Sequence, residues 1–299
     1  MQKRSVWVYA LLALSVLCTP LGTVSAFDNP DSGKIEVVAS GLKGPYALFF
    51  DGDDLLVTTK GGLLRINDPG EDIAPSRREI ERVTPIGEGD ALGATLHGSN
   101  YVVLSCAVGC QNSSQLQVFS QGGTLVSTLA QGIEAGVEVT RWRDNFLVTD
   151  IYQNRILEIT PTGVVSVFAT DKLNGPGGMY MDGENLWVTN FFSGELVVIK
   201  RDGSSRVVAT GLGTPAGIVS DGLDFIIADY AMGEKNKGRV LRVSKEGEVR
   251  EIARRGSIGN PSGVAVKGPD IYVSDILANT VTRIRGERLK PIQHRGRDH

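Results

Sequence analysis

Asp150, Asn190, Asp229 and Asp275 each close an apolar run, at intervals of 40, 39 and 46 residues. Side chains of this kind hold a cation or a polar ligand when they converge, and they equally accept hydrogen bonds from the backbone of their own loops. Both readings stand at this level: a polar rim on one face, or four loops each braced from within. The residues that follow break the symmetry of the series. Ile151-Tyr152, Phe191-Phe192 and Tyr230 put aromatic rings after three successive members, and Tyr46 stands at an earlier Pro turn. Aromatic rings on loops either recognise a ligand by stacking or pack against one another. Glu134 and Glu138, upstream of Asp150, complete the set of acids that a hydrolase or lyase would draw on.

Other chemistries are poorly supplied. The chain has three histidines, His97, His294 and His299, and none is placed to serve a serine nucleophile as base. Zinc would need more Cys and His ligands than the sequence offers. Cys106 and Cys110 flank Ala107-Val108-Gly109, a spacing that closes a small disulfide in an oxidising compartment.

The elements that carry these residues repeat. A Pro/Gly turn, an apolar run, an Asp/Gly turn and a second apolar run end in a small residue followed by Asp or Asn. Pro176-Gly177-Gly178 leads to Val188-Thr189-Asn190, Pro215-Ala216-Gly217 to Ile227-Ala228-Asp229, and Pro261-Ser262-Gly263 to Val273-Ser274-Asp275. Pro45-Tyr46-Ala47 to Val57-Thr58-Thr59 is a fourth copy, and weaker copies end at Cys106 and Asp150. A period near 40–45 residues with several short strands per copy is the signature of a propeller. In the fifth copy the third strand alternates, with Arg239, Leu241 and Val243 on one face and Val240 and Arg242 on the other. Glycines at the starts of the inner strands let backbones converge, and Phe146, Phe168, Trp187 and Phe225 would fill the gaps between blades. Two segments compete for the last outer strand: residues 34–39 and 287–292. Ile35-Glu36-Val37-Val38-Ala39 matches the internal outer strand Arg206-Val207-Val208-Ala209 better, so the N-terminal segment is expected to pair with residues 281–285.

The sequence thus predicts an all-β fold, a six-bladed β-propeller of four-stranded antiparallel blades over residues 34–292, closed by the N-terminal strand. Residues 1–26 read as a signal peptide: Lys3 and Arg4, an apolar run to Cys18, and Val24-Ser25-Ala26. That run is too short to span a bilayer, so the expectation is a secreted or periplasmic chain with no transmembrane anchor. Removing it takes the net charge from −3 to −5, which argues against a nucleic-acid partner. Residues 293–299 form a basic C-terminal tail.

The phrase Pro-x-Gly, apolar strand, turn, Val-Thr/Ser-Asp resembles the NHL-repeat and SMP-30 (gluconolactonase)-like propellers over essentially the whole chain after the leader. The resemblance implies the six-bladed architecture and leaves lactonases, lyases and non-enzymatic binding proteins within reach. In SMP-30-type lactonases a divalent metal sits at the axis on Glu, Asn and Asp. The matching positions here are Tyr46, Gly93, Val137, Gly177, Ala216 and Ser262, none a carboxylate or amide, so neither a metal nor another cofactor is expected. The function read from the sequence is a monomeric propeller that binds a small molecule, glycan or protein on one loop face. Tyr46, Glu138, Asp150, Tyr152, Asn190, Phe191, Phe192, Asp229, Tyr230 and Asp275 form its candidate site.

Overall fold

A computed structural model describes residues 35–107 and 113–286. The expected signal peptide, the basic tail, the segment 287–292 and Cys110 lie outside the described residues. The chain begins with β1 (Ile35–Ser40), followed by β2 (Leu48–Asp51), β3 (Asp54–Ile66), β4 (Ile80–His97), β5 (Asn100–Cys106), β6 (Ser114–Phe119) and β7 (Leu125–Ile133). Next come β8 (Gly136–Trp142), β9 (Asn145–Asp150), β10 (Arg155–Ile159) and β11 (Val165–Ala169), then β12 (Pro176–Asp182), β13 (Asn185–Asn190), β14 (Glu195–Ile199) and β15 (Ser205–Ala209). The last two groups are β16 (Pro215–Ser220), β17 (Phe225–Asp229), β18 (Arg239–Val243) and β19 (Val249–Ala253), then β20 (Pro261–Lys267), β21 (Asp270–Asp275) and β22 (Thr280–Ile284). The one helical element among the described residues is a single 3-10 turn at Pro75–Arg77, and no helix there is long and apolar enough to cross a membrane.

The fold is an all-β propeller with four-stranded blades. The last three groups, and β8 to β11, each form a separate antiparallel sheet, the final one taking β1 as its fourth strand. β1 runs antiparallel to β22, with Ile35 opposite Ile284 and Ser40 opposite Thr280. Burial grades outward along each blade. β9, β13, β17 and β21 are buried almost end to end because neighbouring blades cover both their faces, whereas β11 begins with three exposed residues.

The sequence predicts six separate sheets. Among the described residues there are four, and β2 to β7 form one continuous six-stranded sheet. The reason is the length of β4. Its first half pairs with the end of β3 (Ile80 opposite Ile66) and its second half with β5 (His97 opposite Asn100). β3 is itself not straight. Arg65 Nη1 lies 2.9 Å from Asp54 Oδ2, eleven residues away. An extended run of that length would span about 36 Å. The chain therefore doubles back at Gly61-Gly62, whose φ values of 86° and 139° only glycine adopts freely.

The Thr or Ser that recurs near the end of most second strands has a mechanical role that the sequence did not reveal. Thr189 Oγ1 accepts from Gly178 N at 2.8 Å and donates to Ala216 O of the next blade at 2.7 Å. Thr58 donates to Leu92 O at 2.7 Å, and Ser274 Oγ donates to Tyr46 O at 2.6 Å. Each hydroxyl pins an inner strand to its own blade and to the next. At two of the inner-strand starts a glycine is needed because the backbones of neighbouring blades meet there. A β-carbon on Gly178 would lie 3.0 Å from the Gly217 Cα, and one on Gly217 3.0 Å from the Gly263 Cα. Large residues fill the wedges further out, as expected: Trp187 and Phe225 meet at 4.3 Å between centroids across one blade junction.

Candidate functional site

The four recurrent acids and amides face their own loops. Asp150 is fully buried, bonded by Arg155 Nε and Nη2 at 3.0 and 2.9 Å and by Ala135 N. Asp229 accepts from Thr214 N, Ala231 N and Arg239 Nε. Asn190 accepts from Asn174 N and donates to Lys172 O. Asp275 accepts from Leu277 N and Ala278 N, both at 3.0 Å. Of the two readings open in the sequence, the geometry of these side chains matches loop bracing. The fold itself supplies the donors at all four, those of Asp275 both meeting Oδ1.

The aromatic residues behave differently. Tyr152 and Phe192 stack with centroids 6.3 Å apart and planes 13° from parallel. Phe192 meets Phe191 edge-on at 5.7 Å, and Phe191 lies 6.3 Å from Tyr230. The four rings thus form one continuous arc across three successive blades. Phe191 and Tyr230 are buried, sealing an apolar collar with Tyr46, Ile151 and Ile276. Phe192 remains 41% exposed, the one ring of the arc that clearly faces solvent. A β-carbon on Gly175 would strike its ring, so a glycine behind it fixes where Phe192 stands.

Inside the collar lies a set of ionisable groups. Tyr46 is buried, and its hydroxyl has no hydrogen-bond partner among the described residues. Burial, with Asp90 and Tyr230 adding, pushes its ionisation far up. Burial, with Asp275 adding, raises Tyr230 to about 12. Asp90 stands opposite Lys60 in the β3–β4 pairing, and burial raises its carboxyl despite the Lys60 charge. Glu138 accepts from Val139 N at 2.9 Å, and burial lifts it to about 8. Glu134 is elsewhere, half-buried and bonded by the Gln153 amide. The hydrolase-type set of Glu134, Glu138 and Asp150 is therefore not one cluster with free oxygens: Asp150 is spent on Arg155 and Glu134 on Gln153. No group of three or more His, Cys, Asp or Glu converges on a metal position among the described residues.

Two features escaped the sequence. Asp90 was missed because it precedes the weak second copy of the repeat. The axial position of that copy is Leu92, not Gly93, since Thr58 bonds Leu92 O as Thr189 bonds Ala216 O. An irregularity in the β4–β5 pairing between Ala91 and Gly93 displaces the motif by one residue.

Solved structures with this architecture span most of the chain. A chain of the nidogen/laminin complex matches with a TM-score of 0.65 at 18% identity, covering 80% of this chain and 92% of that one. A putative gluconolactonase matches at 0.60 and 14% identity, covering 86% and 94%. Virginiamycin B lyase from Staphylococcus aureus matches at 0.60 and 14% identity, covering 84% and 99%. The PQQ-bound aldose sugar dehydrogenase from Streptomyces coelicolor matches at 0.59 and 17%, covering 86% and 99%. No protein-family model and no curated protein matches the sequence. At these identities the likeness is one of fold, and activity rests on the site.

Proposed function

We propose that this chain is an exported propeller that binds a small molecule or glycan with a flat face, seated on the aromatic arc and over the collar around Tyr46. The observation that carries the reading is the arc itself: four rings from three blades in unbroken contact, with Phe192, second in the row, exposed between Tyr152 and Phe191. Stacking surfaces of this kind recognise sugar rings and planar molecules, while the buried Tyr46 hydroxyl offers an unfilled polar contact beneath.

We infer further that the six-stranded sheet is two blades joined through β4, which makes a closed ring of six. The reversal in β3, the contact of the first inner strand β2 with the last, β20, and the Ser274 to Tyr46 hydrogen bond support it. Export, a monomeric state and a Cys106–Cys110 bridge complete the proposal, supported by the leader and by the cysteine spacing.

The test is a thermal-shift and calorimetric screen of oligosaccharides and planar aromatic compounds against wild type, Phe192→Ala and Tyr152→Ala. Binding that falls about tenfold or more in Phe192→Ala, with folding intact, supports the reading. Equal affinity in all three proteins places the ligand elsewhere and overturns it. A second reading, a hydrolase or lyase, rests on Glu138 alone, whose raised carboxyl is suited to donate a proton near neutral pH. Turnover abolished by Glu138→Gln would carry it.

A further inference from the structure

Four hairpin turns between third and fourth strands share one construction. The glycine N–H bonds the carbonyl three residues back at Gly123, Gly163, Gly203 and Gly247, at 2.9 to 3.0 Å. Three of these turns dock on the outer strand of the preceding blade. A β-carbon on Gly163 would lie 2.7 Å from Leu129 O, one on Gly123 would strike Val83 O, and one on Gly247 would strike Val208 O. Gly203 meets nothing within 4 Å. By the same register it would rest on the Phe168 carbonyl of β11. Instead the Phe168 ring packs edge-on against Trp142 at 5.9 Å, and the turn stands away from β11.

The gap is a cavity of about 520 Å³ between the blade of β8 to β11 and the blade of β12 to β15. That is the size of a small-molecule site. Trp142, Phe168, Leu186 and Ile199 supply its apolar walls, and Asp171 and Asp202 stand at its rim. The rim charges are unbalanced. Arg201 is matched by Glu184 at 2.6 Å. Asp171 accepts from the Ser205 hydroxyl, and Asp202 from Ser204 N and Oγ. Neither carboxylate forms an ion pair among the described residues. The Ser204 hydroxyl and N–H hold Asp202 below its ordinary carboxylate value, so it is charged at neutral pH. Against these two anions the rim offers one further cation, Lys200.

We propose that this inter-blade cleft is a second binding site, for a small aromatic amine whose ring lies against Trp142 and Phe168 and whose ammonium is held by Asp171 and Asp202. The walls fit a planar ring, and the net negative rim selects a cation over an anion. The exposed valines of β11 do not point to an added peptide strand, because Val37, Val207 and Val249 are likewise exposed on other outer strands.

Tryptamine is the probe, with indole-3-acetate as its anionic counterpart. The readout is the Trp142 indole N–H resonance, assigned by its loss in Trp142→Phe. Tryptamine at millimolar concentration shifts this resonance and indole-3-acetate does not. Asp171→Asn combined with Asp202→Asn weakens the response about tenfold or more. Both positions are exposed, so the fold survives. Phe192→Ala leaves the response unchanged, which separates this site from the aromatic arc. No shift with tryptamine, an equal shift with indole-3-acetate, or a response abolished by Phe192→Ala but not by the double substitution overturns the proposal.

Discussion

The Glu138 carboxylate occupies the space left by the missing side chain of Gly93: a β-carbon there would fall 2.6 Å from Oε1. Glu138 itself stands where four other copies of the repeat have glycine and one has Ala47. A carboxyl has thus been placed where neighbouring inner strands have least room.

The energetic consequence has a definite sign. Burial raises the Glu138 carboxyl from 4.5 to about 8 in the folded chain. Its favourable contribution is complete below about pH 4.5 and is lost as pH rises toward 8, because the unfolded chain releases this proton first. Glu138→Gln keeps the acceptor for Val139 N and removes the titration. Its stability advantage over wild type grows from near zero at about pH 4.5 to about 2 kcal/mol or more above pH 8. Urea unfolding at the two pH values checks it; a parallel pH dependence in both proteins would show that Glu138 is not the group responsible.

Much of the architecture was legible because the repeat is a chemical necessity repeated. The turn proline, the glycine where backbones meet and the hydroxyl that bridges to the next blade recur for physical reasons. The β1–β22 pairing was legible because Val38 and Ala39 match the burial pattern of an outer strand. The joined sheet was not. Gly61-Gly62 reverses the chain with no Asp/Gly signal, and β4 runs through two units without a break in its β-forming residues. At the site, sequence located the aromatic arc but not which ring stays exposed. Phe191 and Phe192 are chemically identical neighbours, and only packing against Tyr230 and Ile151 separates them. The inter-blade cleft left no local signature, since the Gly203 turn has the same form as its docked counterparts.

The bridging hydroxyls predict a graded series. Thr189→Val and Ser274→Ala each remove a buried acceptor for an inner-strand N–H and a donor to the next blade, and each costs about 1–3 kcal/mol. Ala228 stands at the same position without a hydroxyl. Ala228→Ser supplies the missing link toward Ser262 O and raises stability by about 0.5–1.5 kcal/mol. Chemical denaturation of the three variants checks the series, and a destabilised Ala228→Ser would show that the position has no room for the bridge.

Arg78 holds the segment between β3 and β4 by its backbone. Its guanidinium donates to Val38 O at 3.0 Å, Asn67 O at 3.2 Å, Glu71 O at 2.7 Å, and to Asp68 O and Ile73 O. A lysine cannot span so many carbonyls in a plane. Arg78→Lys therefore lowers stability by about 2–4 kcal/mol, and hydrogen exchange accelerates across residues 67–73 and in β1. Acceleration spread evenly over the molecule would contradict a local clamp.

β1 is the joint between the chain's two ends, and three observations locate its strength. Val38 and Ala39 are buried in one core cluster with Leu42, Leu55 and Val281. Arg78 reaches Val38 O from the loop before β4. Glu36 accepts from Arg285 Nε at 2.9 Å and from Arg283, and although burial works against it these bonds hold its carboxyl below the ordinary value. That last contribution is present above the usual carboxylate range and is lost as the pH falls through it. Removing residues 31–40 strips all three and leaves β22 as an open edge. Removing residues 291–299 touches none of them. The N-terminal deletion should therefore lower the unfolding temperature by far more than the C-terminal one and promote aggregation, read by calorimetry and light scattering. Equal losses, or a larger loss from the C-terminal deletion, would move the joint from β1 to the other end of the chain.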